Sequence, residues 1–283
     1  VSSSVLPLAG ALGCAVCYGT GSVLQAKSAR RVDTGQGGLD PHLAGRVLRQ
    51  GPYLAGLGLD AVGFALSLAA LRSLPLFVVQ AAVASNVAVI ALLAGPVLGE
   101  RPRRGSAWAV TAVVVGLGLL GAAAQPGPAA AVPGWLRWGA VALAVAAVAA
   151  GVPAARSSGR RSAAVLGGLA GLANAAVGIG ARIWRDPFNV GVLLHDPATL
   201  AVVIGGVGGL WMYTVALQRG SATGATALLV VVEAAVPAVV GLVWLGDRAR
   251  PGFGLVAVAG FVVALVASVW LSGVVAQVEH PSG

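Results

Sequence analysis

Two carboxylates stand where carboxylates are expensive. Glu233 lies in the run LLVVVEAAVP (228–237), four residues before Pro237, and Asp60 lies in LGLDAVGF (57–64). An ionised acid in apolar surroundings must be paired, protonated or turned toward a polar cavity. The chemistry open to such groups is cation binding or proton exchange. Asp60 and Glu233 are therefore the candidate substrate or ion ligands, and the candidate metal ligands. As a metal site they are minimal, because Mg²⁺ takes one or two carboxylates and keeps several waters. Pro237 adds a backbone acceptor: an interior proline has no amide for the carbonyl four residues back, which belongs to Glu233 itself. Pro96 frees the Leu92 carbonyl in the same way, so Pro237 and Pro96 are candidate hinges. Six uncharged side chains in other apolar runs could join the wall of one cavity: Tyr18, Gln80, Asn86, Asn174, Trp211 and Tyr213. Each alone reads as a packing or interhelical hydrogen-bond residue; as a set they describe a polar cavity.

The elements that position these groups follow from composition. The chain has 283 residues, 58% of them hydrophobic and only 10% charged, with a mean hydropathy of +0.90. A soluble domain carries about 25% charged residues. The chain is therefore expected to be an all-α polytopic membrane protein whose solvent is the bilayer. Its formal charge of +9 then reports orientation and not nucleic-acid binding. Lys27 is the only Lys beside many Arg, and Ala, Gly and Val are abundant, a composition expected of the inner membrane of a high-GC bacterium.

Nine apolar runs have the length of a span: 5–25, 53–72, 75–98, 106–124, 134–152, 162–183, 197–217, 221–245 and 253–274. Trp108, Trp135, Trp138, Trp184, Trp244 and Trp270 fall near their ends, where amphipathic rings prefer the interface. Loops after the odd spans on one face carry Lys27, Arg30, Arg31, Arg46, Arg49, Arg101, Arg103, Arg104, Arg156, Arg160, Arg161 and Arg219; the other face carries Arg72, Arg137, Arg182, Arg185, Arg248 and Arg250. The two-to-one bias places the first face in the cytoplasm, with the N-terminus out and the C-terminus in. The first run has no basic segment before it, so it is expected to be a retained span and not a signal peptide. Counting from the cytoplasmic ends, Asp60 lies roughly 10 Å deep and Glu233 roughly 18 Å deep, at 1.5 Å per residue. The long loop 26–52 holds LDPHLAGRVLRQGP, which reads equally as a short interfacial helix opened by Asp40 and Pro41 or as plain loop.

The chain also repeats itself. VLGERPRRG (97–105) matches WLGDRARPG (244–252) at a spacing of 147 residues, LAALRSLP (68–75) resembles TVALQRGS (214–221), and Pro52 and Pro197 open corresponding spans. The expected organisation is a first repeat of helices 1–4 (1–125), a linker helix 5 (126–158), a second repeat of helices 6–9 (159–276) and a tail (277–283). The extra crossing inverts the second copy, an arrangement with its site at the repeat interface in secondary transporters. At this spacing Asn86 matches Glu233. Paired spans ending in LGER and LGDR resemble the EamA-type drug/metabolite transporter superfamily. Within it, Asp60 and Phe64 in the second span are similar to a pattern of the NIPA-type magnesium transporters, although Gly63 replaces its Asn and Leu59 its Gly. The superfamily resemblance implies two inverted sets of helices and transport of a small solute; the narrower one implies Mg²⁺.

Other chemistry finds no support in the sequence. No phosphate-cradling loop with a Lys is present, and His42, His195 and His280 lack metal-ligand spacing. Cys14 and Cys17 in CAVC, and GGVGG (205–209), read as packing. No enzyme activity and no cofactor are expected. The expected partners are the lipid bilayer and a small-molecule or cation substrate, with homodimer formation left open. The leading expectation is a secondary transporter moving a small cation or metabolite by alternating access, coupled to protons or cations through the two acids. Alternatives are an Mg²⁺ transporter, a lipid-linked sugar flippase whose basic loops Arg101–Arg104 and Arg156–Arg161 attract headgroups, and a scaffold whose acids are capped by neighbouring helices with no cavity.

Overall fold

The computed structural model describes residues 2–31, 50–98, 106–127, 132–157, 159–186, 189–219 and 222–279. Eleven helices follow one another: α1 (Ser2–Arg31), α2 (Gly51–Leu71), α3 (Leu76–Ala84), α4 (Asn86–Leu98), α5 (Ser106–Ala123), α6 (Gly134–Ala154), α7 (Arg160–Ile183), α8 (Val190–His195), α9 (Pro197–Arg219), α10 (Ala222–Trp244) and α11 (Gly254–Glu279). No strand occurs among the described residues; a single isolated bridge joins Ala124 to Ala249. Among the described residues nine helical segments are long and apolar enough to cross a membrane, and they coincide with the nine expected spans to within a few residues. The chain is an all-α, multi-pass membrane protein. The postulated helix at Asp40 and Pro41, and Glu100 with Arg101–Arg104, lie outside the described residues.

The expected third span is broken. Its helix stops at Ala84 and restarts at Asn86. The Ser85 amide is shared between the carbonyls of Ala81 and Ala82, at 3.0 and 3.1 Å, and its hydroxyl donates to Ala82 O at 2.6 Å. A serine bonding back to its own helix bends it, and the shared amide is a tightened, 3₁₀-like step. The interruption thus falls at Ser85 and not at the expected hinges, because α4 continues through Pro96 and α10 through Pro237. Pro237 is fully buried, so neighbouring side chains hold its turn in place.

Small residues set the packing. Helix α1 lies along α2 and α4, and α7 lies along α9 and α10, so the same neighbour relations occur in both halves of the chain. Helices α5 and α11 cross at Gly116 and Gly260, where a Cβ on either would sit 2.8 Å from the other's carbonyl oxygen. Such backbone approach substitutes for the hydrophobic drive that lipid does not supply. Five of the six span-end tryptophans are exposed or nearly so, and Trp135 and Trp244 meet edge to face with centroids 6.4 Å apart. Trp184 departs from the expectation. It is buried, donates to Thr199 Oγ1 at 3.0 Å and meets Phe64 edge-on at 6.3 Å. A partner for its indole N–H and an aromatic neighbour together favour the interior over the interface.

Gly116→Val places its side chain against the α11 backbone, where no rotamer change relieves the clash. Overpacking of this kind costs about 1–3 kcal/mol. The expected outcome is a clear drop in unfolding temperature in detergent, while Gly118→Val, at a position open on the same helix, stays near the parent value.

Candidate functional site

A cavity of about 840 Å³ opens among α1, α2, α3, α4, α7, α9 and α10. It contains both deep acids, Asp60 and Glu233, together with Tyr18, Gln80, Asn86, Asn174 and Tyr213. No Lys, Arg or His occurs among its described lining residues. Trp211 is the sequence candidate that the fold turns away: it is 40% exposed, and its ring packs toward Gly151 of α6. Tyr213 and Trp211 are two positions apart on α9, about 200° around a helix, so one faces the cavity and the other cannot.

Each acid has its own neutral donor. Gln25 Nε2 of α1 donates to Asp60 Oδ2 at 2.5 Å. Asp60 comes this close to α1 because Gly21 lies opposite it, where a Cβ would stand 2.6 Å from Oδ1. On the other wall, Asn174 Nδ2 of α7 donates to Glu233 Oε2 at 3.4 Å. Tyr18 lines the same cavity, beside Ser67 and within electrostatic reach of both carboxylates. Tyr213 Oη pairs with Thr226 Oγ1 at 2.7 Å. Asn86 stands at the start of α4, so the break at Ser85 aims a helix N-terminus along the cavity wall. Gln80 is 6% exposed and lies flat over Gly178, where a Cβ would come within 1.8 Å of its amide nitrogen.

Gln25 was not among the sequence candidates. The signal was available in principle. An acid needs a donor at its own depth, and Gln25 is the only amide side chain in the first span. Its placement at the edge of an apolar run concealed that role, because α1 continues in a helix well beyond it.

One end of the cavity is sealed. Leu71, Leu74, Leu76, Phe77 and Val79 around the α2–α3 turn are all buried. Behind them lies an ion pair. Arg182 Nη2 meets Asp247 Oδ1 at 2.9 Å, and both side chains are 2% exposed. Arg182 also donates to the carbonyls of Leu71 and, at 3.4 Å, Gly127, while the Leu76 amide donates to Asp247 Oδ2 at 2.5 Å. The pair therefore ties the end of α7 to the α2–α3 turn and to the segment after α10. Toward the opposite end the wall residues Ile90, Tyr213, Leu217 and Thr226 are partly exposed. Among the described residues no group of three His, Cys, Asp or Glu side chains is placed to hold a metal. Cys14 is buried and donates to Ala11 O at 2.9 Å.

The fold and the site define a multi-pass α-helical membrane protein with an acid-lined internal cavity. Comparison with protein-family models, with curated proteins and with solved structures finds no match.

Two outcomes follow from this geometry. Arg182→Met leaves the Asp247 carboxylate buried without its cation, and breaking a buried pair costs about 3–5 kcal/mol. Detergent thermal denaturation is expected to show a large loss for Arg182→Met or Asp247→Leu alone and a smaller loss for the two combined. Gly178→Ala displaces the Gln80 amide from its resting place and narrows the cavity; an environment-sensitive probe on a cysteine introduced at Val83 is expected to report the change without loss of folding.

Proposed function

We propose that this protein is a secondary transporter that moves a small cationic solute by alternating access. The observation that carries the reading is the cavity itself. Two intramembrane acids drawn from opposite halves of the chain face one space that no basic side chain neutralises. Intramembrane carboxylates that line a cavity mark substrate or proton pathways. A scaffold in which the acids serve only as helix–helix partners would not require this volume between them. The parallel neighbour relations of α1 and α7 support two repeats, and the 147-residue sequence match supports their inversion. This is the arrangement of transporters whose site lies at the repeat interface, and with it the resemblance to the EamA-type drug/metabolite transporters becomes the preferred family reading.

Orientation follows from the basic loops. With the arginine-rich face in the cytoplasm, the end sealed by Arg182 and Asp247 faces outward and the accessible walls face inward. Opening the outer end requires the α2–α3 turn to leave the Arg182–Asp247 pair. The carboxylates bind cation in one state and exchange it for protons or another cation in the other.

Magnesium fits less well than a larger cation. Asp60 and Glu233 are each already hydrogen-bonded to a primary amide, on α1 and α7 respectively. Mg²⁺ demands near-ideal octahedral oxygens at about 2.0–2.1 Å, and a cavity of about 840 Å³ leaves it a site made mostly of water.

The test is transport by purified protein in proteoliposomes under an imposed pH gradient, with organic cations and Mg²⁺ as substrates. Asp60→Asn and Glu233→Gln are each expected to lower the rate about tenfold or more, since a hydrogen bond to a charged group is worth about 1.5–3 kcal/mol. Rates and pH dependence like the parent's in both variants would overturn the reading.

A further inference from the structure

The cavity holds two carboxylates held by different helices, and that arrangement narrows the class of solute. Asp60 is drawn to the α1 wall by Gln25, and Glu233 to the α7 wall by Asn174. The two are therefore anchored to different helices, each with its own donor. Tyr18 lines the same cavity and reaches both electrostatically. Around it the lining is apolar: Phe64, Val79, Val83 and Val230. Gln80 supplies a second observation. Its side chain is more than nine-tenths buried and lines the cavity. Its amide carbonyl is a further neutral acceptor on the wall.

We propose that the solute is a linear organic dication of the α,ω-diamine class, with one ammonium at Asp60, the other at Glu233, and its methylene chain along Tyr18 and the apolar wall. This rests on the transporter reading above and specifies its substrate class. Charge balance argues for it. With both carboxylates ionised and no lining cation, a dication compensates both, whereas a monocation leaves the second acid to be neutralised by a proton. An ammonium offers three donors, so a head held by one carboxylate keeps donors for other acceptors of the wall. Binding at one acid raises the effective concentration of the second ammonium at the other, and that gain exists only when the chain spans the gap. The Tyr18 ring adds attraction for a cation passing over its face.

The experiment is a binding series on the purified full chain, read as ligand-dependent shift in unfolding temperature and by calorimetry. The probes are α,ω-diamines from putrescine to the decamethylene homologue, n-alkylamines of matched length, and Mg²⁺. The expected result is an optimum in diamine length, with that diamine bound about tenfold or more tighter than its monoamine, as expected when a second contact becomes intramolecular. In Asp60→Asn and in Glu233→Gln the two affinities converge to within about twofold, each remaining acid holding one ammonium. Glu233→Asp keeps the charge and draws the carboxylate back by one methylene, so the optimum moves to a diamine longer by about one methylene. Diamines and monoamines that bind and are transported alike, or an optimum unmoved by Glu233→Asp, would overturn the dication while leaving cation transport standing. No response to any amine or to Mg²⁺, with no transport in proteoliposomes, would overturn both.

Discussion

A carboxylate within the bilayer has to find donors, and it has to find them without closing the space it serves. Much of this molecule follows from that constraint. Asp60 gains Gln25 because α1 presents a glycine, Gly21, at the point of closest approach. Glu233 gains Asn174, which in turn packs beside Gly209 of α9. Both donors are neutral amides. They satisfy one oxygen each and cancel no charge, so the electrostatic demand of the acids remains directed into the cavity. Had the partners been arginines, the same helices would have packed around closed ion pairs.

The sealed end solves the opposite problem. Arg182 and Asp247 are neutralised by each other and by backbone groups of the α2–α3 turn. A buried pair of this kind is weak as a source of stability but strong as a fixer of geometry, because few arrangements satisfy it. It joins segments from both halves of the chain at one face, next to a cluster of fully buried leucines. The acids inside the cavity have neutral amide donors, whereas this acid has a cation.

Between them lies the break at Ser85. It sits one residue before Asn86, the position that lies 147 residues before Glu233, the spacing of the sequence match. Prolines looked like the natural places for distortion, yet both continue in helix, since a turn that loses one hydrogen bond can still be held by close packing around it. Serine acts differently by offering its own hydroxyl and a shared amide to the preceding turn. At the place that matches Glu233, the first half thus has an interrupted helix and an amide.

The sequence by itself determined the nine spans, because hydrophobic length is a local property and a bilayer has one thickness. It also determined that Asp60 and Glu233 needed explanation, because their cost depends only on depth. The family of small residues that permits close helix approach was legible in composition, though not which glycine faces which partner. Tertiary structure alone decided the rest. Gln25 became a donor to Asp60, Trp211 turned outward while Tyr213 turned inward, Trp184 went to the core, and two span-end charges became a buried pair. Each of these depends on the rotation of one helix relative to another. Rotation is set by interhelical packing summed over many contacts, and nearly uniform apolar spans carry little periodic signal from which to read it.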